Sequence, residues 1–181
     1  MKDFIYPEMM VHVPLCTHKE PQNILILSDD AMKLQLEVAR HEDMKATTMP
    51  ASIDALRSAN DNAFDIVLSE VSCDAAVIAH LGRVIAEDGL LMTRHPSLEN
   101  VTENKIIMEI MAKYFKIIMP CRLLDGETLL LASKSYHPTA DLILQRADML
   151  DGLNYYNCDI HPASFAMGNY IRKEYLGVIK N

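Results

Sequence analysis

The chain has 181 residues, 17 of them Lys or Arg against 25 Asp or Glu, for a formal net charge of −8. With 50% hydrophobic and 23% charged residues, it has a globular profile and enough length to bury a core without disulfide or metal staples. The negative balance argues against a general nucleic-acid binder, whose affinity rests on neutralising phosphates with Lys and Arg.

The opening MKDFIYPEMM has neither the apolar region nor the cleavage site of a signal peptide. No stretch reaches the roughly 18–20 apolar residues that span a bilayer. A cytoplasmic chain without a membrane partner is therefore expected. Cys16, Cys73, Cys121 and Cys158 are far apart, with no C-x-x-C pair and no zinc spacing, so they read as reduced cysteines packed as small apolar side chains.

Asn23–Leu27 (NILIL) reads as a buried strand ending at the polar Ser28-Asp29-Asp30. The segment Ala31–His41 follows as a helix with the Asp29-Asp30 pair as its cap. Lys45–Met49 is a short strand stopped by Pro50, and Ser52 caps a helix over Ser52–Ala59. Phe64–Ser69 (FDIVLS) is the second clear strand. A helix spans Cys73–Glu87 and ends at Asp88-Gly89, with Gly89 suited to a left-handed position. Leu90–Thr93 is a strand and Asn100–Tyr114 a helix opened by Asn100. Phe115–Arg122 and Thr128–Ser133 flank Asp125-Gly126 as an antiparallel hairpin. Pro138–Met149 and a segment near Phe165–Leu176 are helical. The alternation describes an α/β fold, a mostly parallel sheet with helices on both faces and a closing antiparallel hairpin. Strands that are apolar without alternation agree, because parallel strands are covered on both sides.

In such a sheet ligands sit outside the carboxyl ends of the strands, near the topological switch point. Those ends deliver Ser28, Asp29 and Asp30, then Ser69, Glu70, Ser72 and Asp74, then Arg94 and His95. Clustered carboxylates attract cations and raise one another's pKa values, which can make a general base. Capping competes as an explanation for Asp29, Asp30 and Asp74, each of which precedes a helix. Glu70 ends a buried strand and is the stronger candidate for lining a cavity. His12, His41 and His161 lack metal-like spacing and read as surface or hydrogen-bonded histidines, and the twelve Met read as core filling. There is no G-x-S-x-G elbow, no P-loop and no G-x-G-x-x-G.

Two segments, Asp3–His41 and Tyr155–Ala166, resemble the spermidine synthase family of aminopropyltransferases. The opening pattern D-E-F-x-Y-H-E-M-x-x-H-x-P-L is matched by Tyr6, Glu8, Met9, His12, Pro14 and Leu15, with Glu37, Val38 and His41 beyond it. The closing pattern Y-Y-N-x-x-x-H-x-A-x-F-A is matched by Tyr155, Tyr156, Asn157, His161, Ala163, Phe165 and Ala166. The resemblance implies one Rossmann-like, methyltransferase-type domain over 1–181, without the small N-terminal β-domain of the family. It implies aminopropyl transfer from decarboxylated S-adenosylmethionine to putrescine in polyamine biosynthesis. No metal or cofactor is needed beyond that nucleoside co-substrate. Glu70 falls at the family's catalytic aspartate and Tyr6 at its diamine pocket, with Asp74 as a further substrate contact. Asp30 and Asp29 fall on the nucleoside loop. Tyr155, Tyr156 and His161 read as structural.

The sequence also departs from that pattern. Ser28-Asp29-Asp30-Ala31-Met32-Lys33 stands where the family has a Gly-rich loop, and Met49-Pro50 where it has a ribose-binding acid. Pro7 replaces a histidine, and the segment between Thr48 and Phe64 is shortened. Two other readings therefore stay open: a degenerate, non-catalytic member acting as an interaction protein, and another S-adenosylmethionine-dependent transferase. Exposed apolar surface left by the missing β-domain predicts a homodimer.

Overall fold

Strands buried on both faces need helices on each side, and the chain supplies them in alternation. The computed structural model describes residues 2–124 and 126–181. Met1 and Asp125, the latter at the expected hairpin turn, lie outside the described residues. Gly126 is described, at a φ of 92° that suits glycine in a turn.

Strands β1 (Asn23–Leu27), β2 (Lys45–Met49), β3 (Phe64–Ser69) and β6 (Thr128–Ser133) coincide with their expected spans. Strands β4 (Ile85–His95) and β5 (Ile117–Arg122) complete a six-stranded sheet of order β2-β1-β3-β4-β6-β5. The pairs β1–β2, β1–β3 and β3–β4 are parallel, and β4–β6 and β5–β6 are antiparallel. From β1 the chain crosses outward to β2 and then back past it to β3, so the switch point lies at the carboxyl ends of β1 and β3.

The strands inside the edge strand β2 divide their side chains between two cores. Ile24, Ile26, Ile66, Leu68 and Met92 pack with α1 (Ile5–Thr17) and α2 (Met32–Val38). Leu25, Leu27, Val67 and Leu91 pack with α3 (Ile53–Ser58), α4 (Ala75–Val84) and α5 (Val101–Met111). Cys16 and Cys121 are buried in the first core. Helix α1 is buried over nearly its whole length, so it lacks the polar face that marks an amphipathic helix.

Several expected boundaries move, each for a local reason. The helix expected over Cys73–Glu87 starts after Asp74, whose side chain caps it by accepting from Val77 N at 2.8 Å. It stops at Val84 because Ile85 already pairs with Phe64 in the sheet. Gly89 therefore lies inside β4 and not at a helix end, and its backbone is not left-handed. Its lack of a Cβ serves a close approach instead, since a Cβ there would stand 2.7 Å from the Asp65 carbonyl oxygen. Ala31, not the Asp29-Asp30 pair, is the N-cap of α2, and no side chain caps it. Ser52 does cap α3, through Ala55 N at 3.2 Å, whereas Asn100 makes no side-chain cap for α5.

The helix expected over Pro138–Met149 is reduced to α6 (Leu144–Asp148). His137 Nδ1 and the Asp141 carboxylate capture the backbone N–H groups of Thr139, Ala140 and His137, which holds that stretch as a turn. The tail breaks into α7 (Ile160–Ala163) and α8 (Asn169–Glu174), with extended Gly168 before the latter.

Candidate functional site

Residues from four separate parts of the chain converge at the carboxyl ends of β1, β3 and β4. Glu70 follows β3 directly, and its N–H donates to the Leu27 carbonyl at 2.9 Å, which anchors it beside the end of β1. Tyr6, in the first turn of α1, donates its hydroxyl to Glu70 Oε1 at 2.7 Å. Ser28, just past β1, donates to Glu70 Oε2. Both carboxylate oxygens are thus held by hydroxyls that set the orientation of the group, and each keeps a further acceptor position. Burial pushes the Tyr6 phenol well above its ordinary pKa, reinforced by the Glu70 hydrogen bond and charge and opposed by Arg94. Tyr6 therefore stays protonated as the donor of this pair.

Arg94, near the end of β4, lays its guanidinium over the Tyr6 ring, 4.6 Å from the centroid. Its Nη2 lies 3.9 Å from Glu127 Oε2. The antiparallel register of β4 with β6 sets Arg94 opposite Leu129 and His95 opposite Thr128, which brings Glu127 to the same end of the sheet. A cavity of about 330 Å³ opens here, lined among others by Glu70, Cys73, Arg94, His95 and Glu103. Burial raises the Cys73 thiol above its ordinary pKa, so it is not an activated nucleophile.

His95 is 8% exposed, and its Nε2 has no hydrogen-bond partner among the described residues. Burial lowers its pKa to about 4, and lowers that of His41 to about 3 and of His161 to about 4. Each binds a proton more readily unfolded, near 6.5, than folded, so its neutral form stabilises the fold above that pH and the contribution is lost as pH falls toward the folded value. His95→Gln is expected to flatten the stability–pH profile between about pH 6 and 4.5 by up to about 1.4 kcal/mol per pH unit. Urea titrations across that range check this, and unchanged slopes in the variant would refute it.

The candidate residues do not all reach the site. Tyr6 and Glu70 meet directly. Asp74 is spent as the α4 cap. Asp29 accepts from Ala51 N at 3.0 Å and so braces the loop after β1 against the loop after β2. Asp30 is exposed, and its N–H donates to Ser28 Oγ at 3.1 Å. The sequence marks Arg94 and His95 only as residues at a strand end, and nothing in it singles out Glu127. The hairpin register is the signal that links Glu127 to Arg94.

The motif histidines form buried hydrogen-bonded chains. His12 bridges His41 Nε2 at 2.9 Å and Glu37 Oε2 at 3.0 Å, and Glu37 also pairs with Arg40. Tyr156 Oη meets His161 Nδ1 at 2.8 Å, and the other ring nitrogen of His161 lies 3.0 Å from the Pro138 carbonyl. Glu8 is buried and accepts from the backbone N–H groups of Asn154, Tyr155 and Tyr156. These groups join α1, α2 and the tail and lie apart from the cavity. A separate cavity of about 340 Å³ near the amino end of β2 is lined by Arg40 and Arg146, whose guanidiniums are already committed to protein carbonyls.

Comparison with known proteins finds related chains at both the sequence and the fold level. Residues 3–56 match the family model described as the spermine/spermidine synthase domain. A polyamine aminopropyltransferase from Helicobacter acinonychis (strain Sheeba) is 26% identical over 198 residues, covering 92% of this chain and 75% of the relative. The solved spermidine synthase from Thermotoga maritima superposes with a TM-score of 0.84 at 22% identity, over 98% of this chain and 75% of the other. A spermidine synthase solved with the transition-state analogue AdoDATO gives 0.83 at 20% identity, over 95% of this chain and 75% of that one. Among the described residues, no helix is long and apolar enough to cross a membrane.

Proposed function

We propose that this chain, which matches the spermine/spermidine synthase family model over residues 3–56, transfers an aminopropyl group from decarboxylated S-adenosylmethionine to an aliphatic amine such as putrescine, with Glu70 as general base. The observation that carries the reading is the Tyr6–Glu70 hydrogen bond, made between residues 64 apart in sequence at the switch point of the sheet. The reaction needs a carboxylate that takes a proton from the ammonium before attack or from the amine as it attacks. The amine nitrogen forms a bond to the carbon next to the sulfonium, the C–S bond breaks, its electron pair stays on sulfur as the thioether leaves, and the amine proton passes to Glu70. Tyr6 and Ser28 orient the carboxylate while leaving acceptor positions for the amine. Fixed geometry of this kind carries much of the rate for a displacement on an already activated carbon.

A second reading, a non-catalytic family member, is favoured by the loop after β1. It has no glycine to let backbone approach a nucleoside, and Asp29 is engaged by Ala51 N. Thermal melts with decarboxylated S-adenosylmethionine, S-adenosylmethionine and methylthioadenosine, each alone, decide between them. A ligand at about 100 times its Kd adds roughly 2.7 kcal/mol, a Tm rise of about 5–10 °C for a chain of this size. A rise with the decarboxylated compound or methylthioadenosine supports transfer. A rise with S-adenosylmethionine alone points to another transferase, and no rise with any of them favours the interaction protein. The homodimer expected from the sequence draws support from exposed Met32 and Leu36 on α2, beside the edge strand β2. A single-chain mass by light scattering at micromolar concentration would count against it.

A further inference from the structure

We propose that the Arg94 side chain is the resident cation of the amine subsite, and that an aliphatic diammonium ligand enters by displacing it. The proposal rests on the amine-site reading above and adds a competitor built into the chain. An ammonium group seeks an aromatic face and a carboxylate. Arg94, which lines the cavity, uses both, lying over the Tyr6 ring at 4.6 Å and beside Glu127 at 3.9 Å.

The hold is weak. The guanidinium side chain is 55% exposed, and 3.9 Å is too long for a hydrogen bond. A guanidinium keeps its proton at any physiological pH, so Arg94 fills the place of an amine without being able to act as a nucleophile. Charge also favours exchange. Among the described residues lining this cavity, Glu70 and Glu103 face a single cation, Arg94. Replacing one positive charge by two brings the site closer to balance, which selects a diammonium ligand over a monoammonium one.

The test is isothermal titration of the whole chain with 1,4-diaminobutane, comparing wild type with Arg94→Ala and Arg94→Lys. Arg94→Ala is expected to bind about tenfold more tightly than wild type, the scale set by an exposed cation–π contact and an exposed ion pair together. Arg94→Lys, which keeps the charge, is expected to stay within about threefold of wild type. Because the side chain is exposed, both variants should melt near the wild-type temperature. Equal or weaker binding by Arg94→Ala, with wild type still binding, overturns the displacement and leaves the amine site standing. Equal gains in both variants would mean that bulk and not charge is the obstacle, which also overturns it. Absence of binding in all three proteins removes the amine-site reading and the proposal with it.

Discussion

Glu70→Gln is expected to lower kcat/KM for aminopropyl transfer to putrescine by about a hundredfold to ten-thousandfold, the usual worth of a positioned general base. The side chain keeps its size and its place after β3, but the amide cannot take a proton from the attacking nitrogen. One of its two hydroxyl partners, Tyr6 or Ser28, would also face an NH₂ group in place of an acceptor. That mismatch should cost about 1–2 kcal/mol of stability, a small loss against the kinetic effect. The measurement pairs initial rates, with decarboxylated S-adenosylmethionine saturating, with a thermal melt of the same sample. A folded variant that keeps more than a third of wild-type kcat/KM removes Glu70 from the base role.

Glu8→Ala is expected to cost about 3–5 kcal/mol of folding stability. Glu8 is 1% exposed and gathers three backbone donors, Asn154 N at 2.9 Å and Tyr155 N and Tyr156 N at 2.8 Å each. Alanine leaves three N–H groups without a partner and a void where the side chain stood, and unpaired buried donors cost about 1–3 kcal/mol each before relaxation. The Tm should drop by roughly 10 °C. Urea midpoints measure the loss, and hydrogen exchange at the amides of residues 154–156 locates it. A loss under 1 kcal/mol would show that the tail docks through the His12–Tyr156 ring contact and its apolar neighbours without help from Glu8.

These two carboxylates illustrate unequal legibility. Glu70 stood out in the sequence because it ends a continuous apolar run, where burial makes a charged residue costly without a partner. Asp29, Asp30 and Asp74 looked equivalent by position, yet the structure separates them into a loop brace, an exposed residue and a helix cap. Nothing local distinguishes them, since an Asp before a helix has the same appearance whether it caps, braces or binds. The motif residues Glu8, His12, His41 and His161 were visible as a pattern, but their partners lie up to 148 residues away. Their assignment as ties between α1, α2 and the tail therefore needed coordinates.

What the sequence by itself determined is the layered α/β architecture and the end of the sheet that carries the candidate site. Three strands, β1, β3 and β6, are legible to the residue as apolar runs bounded by polar stops, because burial on both faces demands unbroken hydrophobicity and turns demand its interruption, and the exposed edge strand β2 is marked by its proline stop. Helix limits and the content of the site were decided by tertiary structure. Ile85 left its helix to pair with Phe64, Asp141 and His137 unwound a predicted helical turn, and α1 disclosed no face because all its sides are covered. Arg94 reached Tyr6 only because β4 runs on past the carboxyl end of β3, where the first turn of the opening helix also lies. Periodicity reports the burial of each residue against its neighbours in sequence. The encounter of a phenol, a carboxylate and a guanidinium from distant segments is set by strand order and register, which one-dimensional patterning does not encode.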